Sequence, residues 1–150
     1  MADPLNNAPH WQEILVCLRQ IMRATDLHSK QVKKVCGLTL PQVMLLRAIS
    51  EQGDVTVRKL SRDISLSQPT VTTILDRLEE RGLVERIRSL RDRRIVNARL
   101  TPLGKEMLEL APPLLDERFM QRFSDLPPSE QHTLKDALEK IVHLMDPGLG

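Results

Sequence analysis

The sequence predicts a mainly α-helical chain with one small β-wing. Three observations predict it. Apolar residues recur at i, i+3, i+4 and i+7 over most of the length, the mark of amphipathic helices. Only two neighbouring runs, Leu83–Ser89 and Ile95–Leu100, alternate as strands do. Hydrophobic residues make up 41% of the chain and aromatics only 2%, so the core is substantial and aliphatic. At 150 residues the chain is one domain, or one domain with an oligomerisation part.

From the N-terminus, Met1 to Ala8 reads as a frayed tail and Pro9 as a helix start. Ile14, Leu18, Ile21, Met22 and Leu27 keep a helical period that can run to Val35, with Gly37 as the stop. Thr39 and Gln42 form a capping box for the next helix, with Leu38 and Val43 as its hydrophobic staple. Leu45, Leu46 and Ile49 continue the buried side, and Gly53 ends it. Val55 can add a short strand beside the hairpin. Thr56 then caps a brief helix with Val57, Leu60 and Ile64 inward, and Ser65-Leu66 makes a tight turn.

The helix after that turn is the centre of the chain. Ser67 is a good N-cap, and Pro69 sits in the first turn, where a missing N–H costs nothing. Val71, Ile74, Leu75 and Leu78 form the apolar stripe, and Gly82 fits the left-handed position that ends the helix. The opposite face carries Gln68, Thr70, Thr72, Thr73, Asp76 and Arg77. It is short and polar at its N-terminal end, a shape suited to the major groove of duplex DNA, where Gln, Thr and Arg can reach base edges. Plain solvation of a polar face is the competing reading.

Between the two strands lies Leu90-Arg91-Asp92-Arg93-Arg94, too basic for an ordinary loop. A lone hairpin is marginal in water and must lie against something. Its arginine tip suits a narrow minor groove or a phosphate backbone; a solubilising tip that blocks edge pairing is the alternative. Residues 56–105 hold twelve Lys/Arg against six Asp/Glu, a local excess of +6. The whole chain carries +2, which leaves −4 for the rest. Positive charge confined to one segment is an electrostatic footprint for nucleic acid. Arg58, Lys59 and Arg62, behind the Thr56 cap, are placed for phosphates or for plain solvent.

Downstream, Thr101 and Pro102 start a helix as N-cap and N1. Leu103, Met107, Leu108 and Leu110 keep it amphipathic, and Pro112-Pro113 must kink or break it. Leu114, Leu115, Phe119, Met120 and Phe123 are expected to resume the helical pattern. Leu126-Pro127-Pro128-Ser129 reads as a turn, and Leu134, Leu138, Ile141, Val142 and Met145 line a last helix. The two terminal thirds have more apolar length than one small wing domain can cover. A homodimer is therefore expected, with residues 39–101 as the DNA-binding lobe and 9–36 and 102–146 as the helical dimerisation region.

The run Asp92-Arg93-Arg94-Ile95-Val96-Asn97-Ala98-Arg99-Leu100-Thr101-Pro102-Leu103-Gly104 resembles the D-x-R…L-T-x-x-G signature of the multiple-antibiotic-resistance regulator (MarR) family. Ser67–Thr72 and Leu78–Val84 are similar to that family's recognition helix and its exit, and the likeness spans about Trp11 to Met145. The resemblance implies a winged helix-turn-helix regulator, acting as a homodimer on a pseudo-palindromic promoter site and most often a repressor. It implies that Asp92 orients Arg94 and that Arg94 enters the minor groove. Family members often carry an arginine after the position of Thr72; this chain has Thr73, which alters the bases read there. The family's small-molecule site lies between the dimer helices and the DNA-binding lobe and often takes phenolic or anionic compounds; no cofactor is expected. Asp26–Gln31 and Gly37–Gln42 also resemble the branch that controls compatible-solute (ectoine or betaine) genes under osmotic stress.

Other classes fit less well. Cys17 lies broadly where the peroxide-sensing branch keeps its reactive cysteine, but that branch resembles a thiolate activated by tyrosines, and this chain has none. Cys17 is better read as a small buried hydrophobe. Cys36, close to Lys33 and Lys34, raises the same question, and two cysteines make no disulfide framework. The four histidines show no metal-ligand spacing. No phosphate loop, nucleophile elbow or zinc-protease motif points to an enzyme. A protein-binding winged helix without DNA would not need Arg91, Arg93 and Arg94. No apolar run at the N-terminal end is long enough for a signal peptide or membrane span, so a cytoplasmic chain is expected.

Overall fold

The computed structural model describes residues 9–146. The expected tail, Met1 to Ala8, lies outside them. Seven helices and three strands follow one another: α1 (Pro9–Cys36), α2 (Leu40–Gln52), β1 (Val55–Thr56), α3 (Val57–Asp63), α4 (Gln68–Glu80), β2 (Val84–Arg88), β3 (Val96–Leu100), α5 (Pro102–Leu110), α6 (Glu117–Ser124) and α7 (Pro128–Met145). The strands form one antiparallel sheet in the order β1-β3-β2. Val55 stands opposite Ala98, and Val84 opposite Leu100.

Short-range chemistry sets the boundaries. Thr39 and Gln42 exchange both capping-box bonds at the start of α2. Thr56, Ser67 and Thr101 cap α3, α4 and α5 by accepting the backbone N–H three residues on. Each such cap is worth about 1 kcal/mol. Helix α4 ends in a Schellman motif: the Leu83 N–H donates to the Leu78 carbonyl and the Gly82 N–H to that of Glu79, both at 2.9 Å, with Gly82 at φ +71°. The same pattern closes α3, where the Leu66 N–H donates to the Ser61 carbonyl at 3.1 Å. There the left-handed residue is Ser65, at φ +53°, so the turn between α3 and α4 carries strain a glycine would not.

The core lies within the middle of the chain. Leu38, Val43, Leu45 and Leu46 of the α2 region meet Leu60 of α3, Val71, Leu75 and Leu78 of α4, and Val84, Ala98 and Leu100 of the sheet. Only the last turns of α1 join it, through Val32 and Cys36. Helix α5 closes at Gly104 against Leu83, in the link between α4 and β2, where an added Cβ would stand 2.0 Å from the Leu83 carbonyl oxygen. Helices α6 and α7 bury no residue at all.

Three expectations need correction. Leu114 and Leu115 do not resume a helix: they lie in the link after Pro112-Pro113, and α6 begins only at Glu117, capped by Asp116, whose carboxylate accepts the Arg118 and Phe119 N–H groups. Two prolines with two leucines behind them leave no cap, and the first residue able to supply one is Asp116. Pro128 and Ser129 are the first turn of α7 rather than a turn before it, because proline fits the opening of a helix. Cys17 is exposed on α1, and Cys36 is the buried cysteine, its thiol donating to the Val32 carbonyl at 3.2 Å.

Candidate nucleic-acid interface

Helix α4 is held from behind by Val71, Leu75 and Leu78, which presents its other face outward. Gln68, Pro69, Thr70, Thr72, Thr73 and Arg77 all stand exposed there, beside Ser67. The structure also sorts them. Ser67 and Thr70 are engaged with each other: the Thr70 N–H donates to Ser67 Oγ, and the two hydroxyls lie 2.8 Å apart. The Thr73 hydroxyl donates back to the Pro69 carbonyl at 3.0 Å, which occupies its donor. Gln68, Thr72 and Arg77 keep their side chains outward with no such internal bond.

The wing stands beside this helix. Its tip is closed by Ser89 N–H to the Ile95 carbonyl and Ile95 N–H to the Asp92 carbonyl, both at 2.9 Å. Asp92 is bound to Arg94 at three points: the Arg94 backbone N–H at 3.0 Å, Nε at 3.1 Å and Nη2 at 3.2 Å. The hydrogen bond from Arg94 holds the Asp92 carboxyl below its usual range. Arg94 is thus aimed by its neighbour while its side chain remains 91% exposed. Arg91 and Arg93 are also exposed and have no carboxylate partner among the described residues. The Arg93 carbonyl accepts from Arg88 Nη1 at 3.0 Å, which ties the tip to its own strand.

Helix α3 supplies the supporting cations unequally. Arg58 and Arg62 are exposed. Lys59 is tied down, its Nζ donating to Asp63 at 2.9 Å and also to Gln52, while its backbone N–H reaches the Thr56 hydroxyl that caps the helix.

Several ties were not visible in the sequence. Arg86 of β2 binds both Asp76 and Glu79 of α4. Arg99 of β3 forms a two-point pair with Asp54 at 2.8 and 2.9 Å, and Arg81 Nη1 donates to the Gly37 carbonyl at 3.3 Å. Each joins two different elements, so no periodicity marks them; opposite charge was the only signal for the Arg86 and Arg99 pairs, and the Arg81 tie to a backbone carbonyl had none. On the far side of the core, Arg47 donates to the Pro112 carbonyl at 2.8 Å, and His28 Nε2 pairs with that of Pro113 at 2.7 Å. An open groove between α2 and α5, lined by Arg47, Glu51, Lys105 and Leu108, lies next to this link. Among the described residues no three His, Cys, Asp or Glu side chains gather as a metal site, and no helix is long and apolar enough to cross a membrane.

A helix braced by its predecessor across a tight turn, followed by a hairpin with an aimed arginine, defines a winged helix-turn-helix protein. The MarR family model matches residues 38–96. The regulator YpoP of Bacillus subtilis, an HTH-type transcriptional regulator, is 31% identical over 69% of this chain and 74% of its own length. Among solved structures, a MepR-like protein complexed with pseudoligands superposes with a TM-score of 0.73 at 27% identity, covering 91% of this chain and 96% of that one. The MepR–DNA complex of S. aureus shares the fold at a TM-score of 0.71 and 23% identity, covering 87% and 96%. The chain belongs to the MarR family and is a transcriptional regulator of that type.

Proposed function

We propose that this regulator is a repressor that binds a pseudo-palindromic promoter site as a homodimer, with one copy of α4 in each of two successive major grooves. One observation carries the reading: an exposed polar helix face, free of bulk at its N-terminal end, stands beside an arginine that a carboxylate already aims outward. Gln68, Thr72 and Arg77 read bases, with Ser67, Pro69, Thr70 and Thr73 shaping the helix entry. Arg94 enters the minor groove, Arg91 and Arg93 hold its rim, and Arg58 and Arg62 touch phosphates. Thr56 sets the start of α3, and Lys59 contributes through its tie to Asp63.

The homodimer is supported by the terminal helices. Trp11, Ile14, Leu15, Phe119, Leu134, Leu138 and Val142 are all exposed in the single chain, and exposed apolar side chains gathered on a few helices mark an interaction surface. A second copy, through residues 9–36 and 102–146, would cover it. A dimer suited to this site would hold the recognition helices about 34 Å apart, one turn of DNA. With roughly six to ten phosphate contacts, affinity should fall about 10³–10⁵-fold between 50 and 200 mM salt.

DNA selected by the protein from random duplexes tests this directly. Two half-sites about one turn apart are expected, and a single half-site bound by one chain would sink the homodimer reading. The sign of regulation follows from a reporter on the selected site: repression predicts more expression when the gene is deleted. Osmotic control rests on the likeness of Asp26–Gln31 and Gly37–Gln42 alone. A target promoter indifferent to external salt removes it. Release by an effector would act at the boundary of the lobe and the terminal helices, and a Cys17-based redox response would show as peroxide-dependent loss of binding.

A further inference from the structure

Helix α4 carries three carboxylates, Asp76, Glu79 and Glu80, on the very element proposed to meet a polyanion. At i and i+3, Asp76 and Glu79 share one side of it. Uncompensated, each would repel the phosphate backbone and cancel one of the cations that drive counterion release.

Strand β2 places one arginine against both. The Arg86 backbone N–H donates to Glu79 Oε2 at 3.1 Å, its Nε to the same oxygen at 3.3 Å, and its Nη2 to Oε1 at 3.2 Å. The same Nη2 stands 2.5 Å from Asp76 Oδ1. Nε and Nη2 of this guanidinium are therefore both turned toward α4. Its side chain is only 24% exposed, against 91% for Arg94 at the wing tip. One arginine reaches for solvent and the other is folded back. The hydrogen bond from Arg86 holds the Glu79 carboxyl below its usual range, and Glu79 in turn raises Arg86.

We propose that Arg86 is a positioning residue that offsets part of the charge of Asp76 and Glu79, so that α4 meets DNA with a net charge of −1 there rather than −2, and that Arg86 itself touches no phosphate. The proposal rests on the DNA-binding reading of α4. It separates the arginines of the wing into two jobs: Arg91, Arg93 and Arg94 face outward, and Arg86 faces the helix.

The test is binding of the full-length chain to a mixed-sequence duplex of about 30 base pairs, at several salt concentrations between about 50 and 200 mM, since the electrostatic part of affinity needs no operator. Wild type is compared with Arg86→Met, with Asp76→Asn/Glu79→Gln, and with all three changes together. Arg86→Met should bind about tenfold more weakly, because two carboxylates are unmasked near the phosphates. The triple variant should return to within about threefold of wild type, because the charges that needed masking are gone. A purely structural role would lower the thermal midpoint of Arg86→Met along with its binding, whereas masking predicts weaker binding at low salt with a nearly unchanged midpoint. A triple variant as weak as Arg86→Met overturns the masking, and so does an Arg86→Met variant that binds like wild type. If Arg86→Met fails to fold, Asp76→Asn/Glu79→Gln decides alone: it should bind at least as tightly as wild type, and a loss beyond about fivefold overturns the proposal. A wild-type chain that ignores the duplex removes the DNA reading itself, whereas wild-type binding with no rescue removes only the masking.

Discussion

The middle of this chain and its two ends are built from the same residue types and treated differently by the fold. Between Leu38 and Leu100, the leucines and valines of α2, α3, α4 and the sheet are almost wholly out of water. In α1 before Val32, and throughout α6 and α7, residues of the same kind lie open: Ile21, Met22, Leu27, Phe119, Leu138 and Val142 are all exposed. The stripes are equally regular in both regions. Amphipathic periodicity therefore says that a face will be covered, not that its own chain covers it. The middle buries its stripes within the single chain, with Val32 and Cys36 of α1 and Met107 and Leu108 of α5 packed against it. The ends carry an unspent hydrophobic surface, which is the physical basis for proposing a second copy.

The largest effect should come from the lobe. Leu78→Ala removes a fully buried side chain between α4 and the sheet, and should cost about 2–5 kcal/mol in chemical unfolding. That cost should not depend on protein concentration. The ends should behave in the opposite way: Leu138→Asp with Val142→Asp should leave the lobe's slow-exchanging amides in place while the protein sediments as a monomer. If the double variant still sediments as wild type, the difference between the two regions is not about assembly.

Next in size is the wing. Arg94→Ala should weaken DNA binding by about tenfold, within the roughly 1–3 kcal/mol of a good arginine contact. Its midpoint of thermal unfolding should hardly move, since a side chain so exposed adds little to the fold. Within α4, Thr72→Ala should cost more affinity than Thr73→Ala, because the Thr73 hydroxyl is already spent on the Pro69 carbonyl. Equal losses would mean that the hydroxyl swings out on binding.

Smaller still, Ser65→Gly should stabilise the protein by about 0.5–1 kcal/mol, since the turn between α3 and α4 needs a positive φ that glycine adopts freely. Thermal unfolding reads it. The least effect concerns pH. Asp92 has its pKa lowered by Arg94, so the pair's contribution is present above the usual carboxylate value and disappears as pH falls through the lowered one. Carboxyl titration by NMR should place Asp92 below the ordinary range in wild type and bring it back toward that range in Arg94→Ala.

Much of the fold was legible in advance because its punctuation is local. Thr39 with Gln42, Thr56, Ser67, Gly82 and Thr101 act on neighbours three or four residues away, and such patterns survive in a bare sequence. The pairing of Asp92 with Arg94 followed from a resemblance and spans only two residues. Illegible were the other side-chain ties. Nothing in the spacing of Arg86, Asp76 and Glu79 said that β2 would lay one arginine over two carboxylates. Lys59 reads in the sequence as a phosphate contact or as plain surface, and its bonds to Asp63 and Gln52 were not foreseen. Leu114 and Leu115 kept a helical rhythm, yet they follow two prolines and have no cap of their own.

Taken alone, the residue order determined most of the helices, the ends of those from α2 to α5, the β-wing and the concentration of positive charge around them, because each follows from backbone conformation and charge within a few residues. Which arginines face outward and which fold back, which threonine hydroxyls are already used, and which apolar faces stay uncovered were decided only in three dimensions. Those outcomes depend on what stands within a few ångströms across the fold, and contact between remote segments is a property of packing rather than of neighbours in the chain.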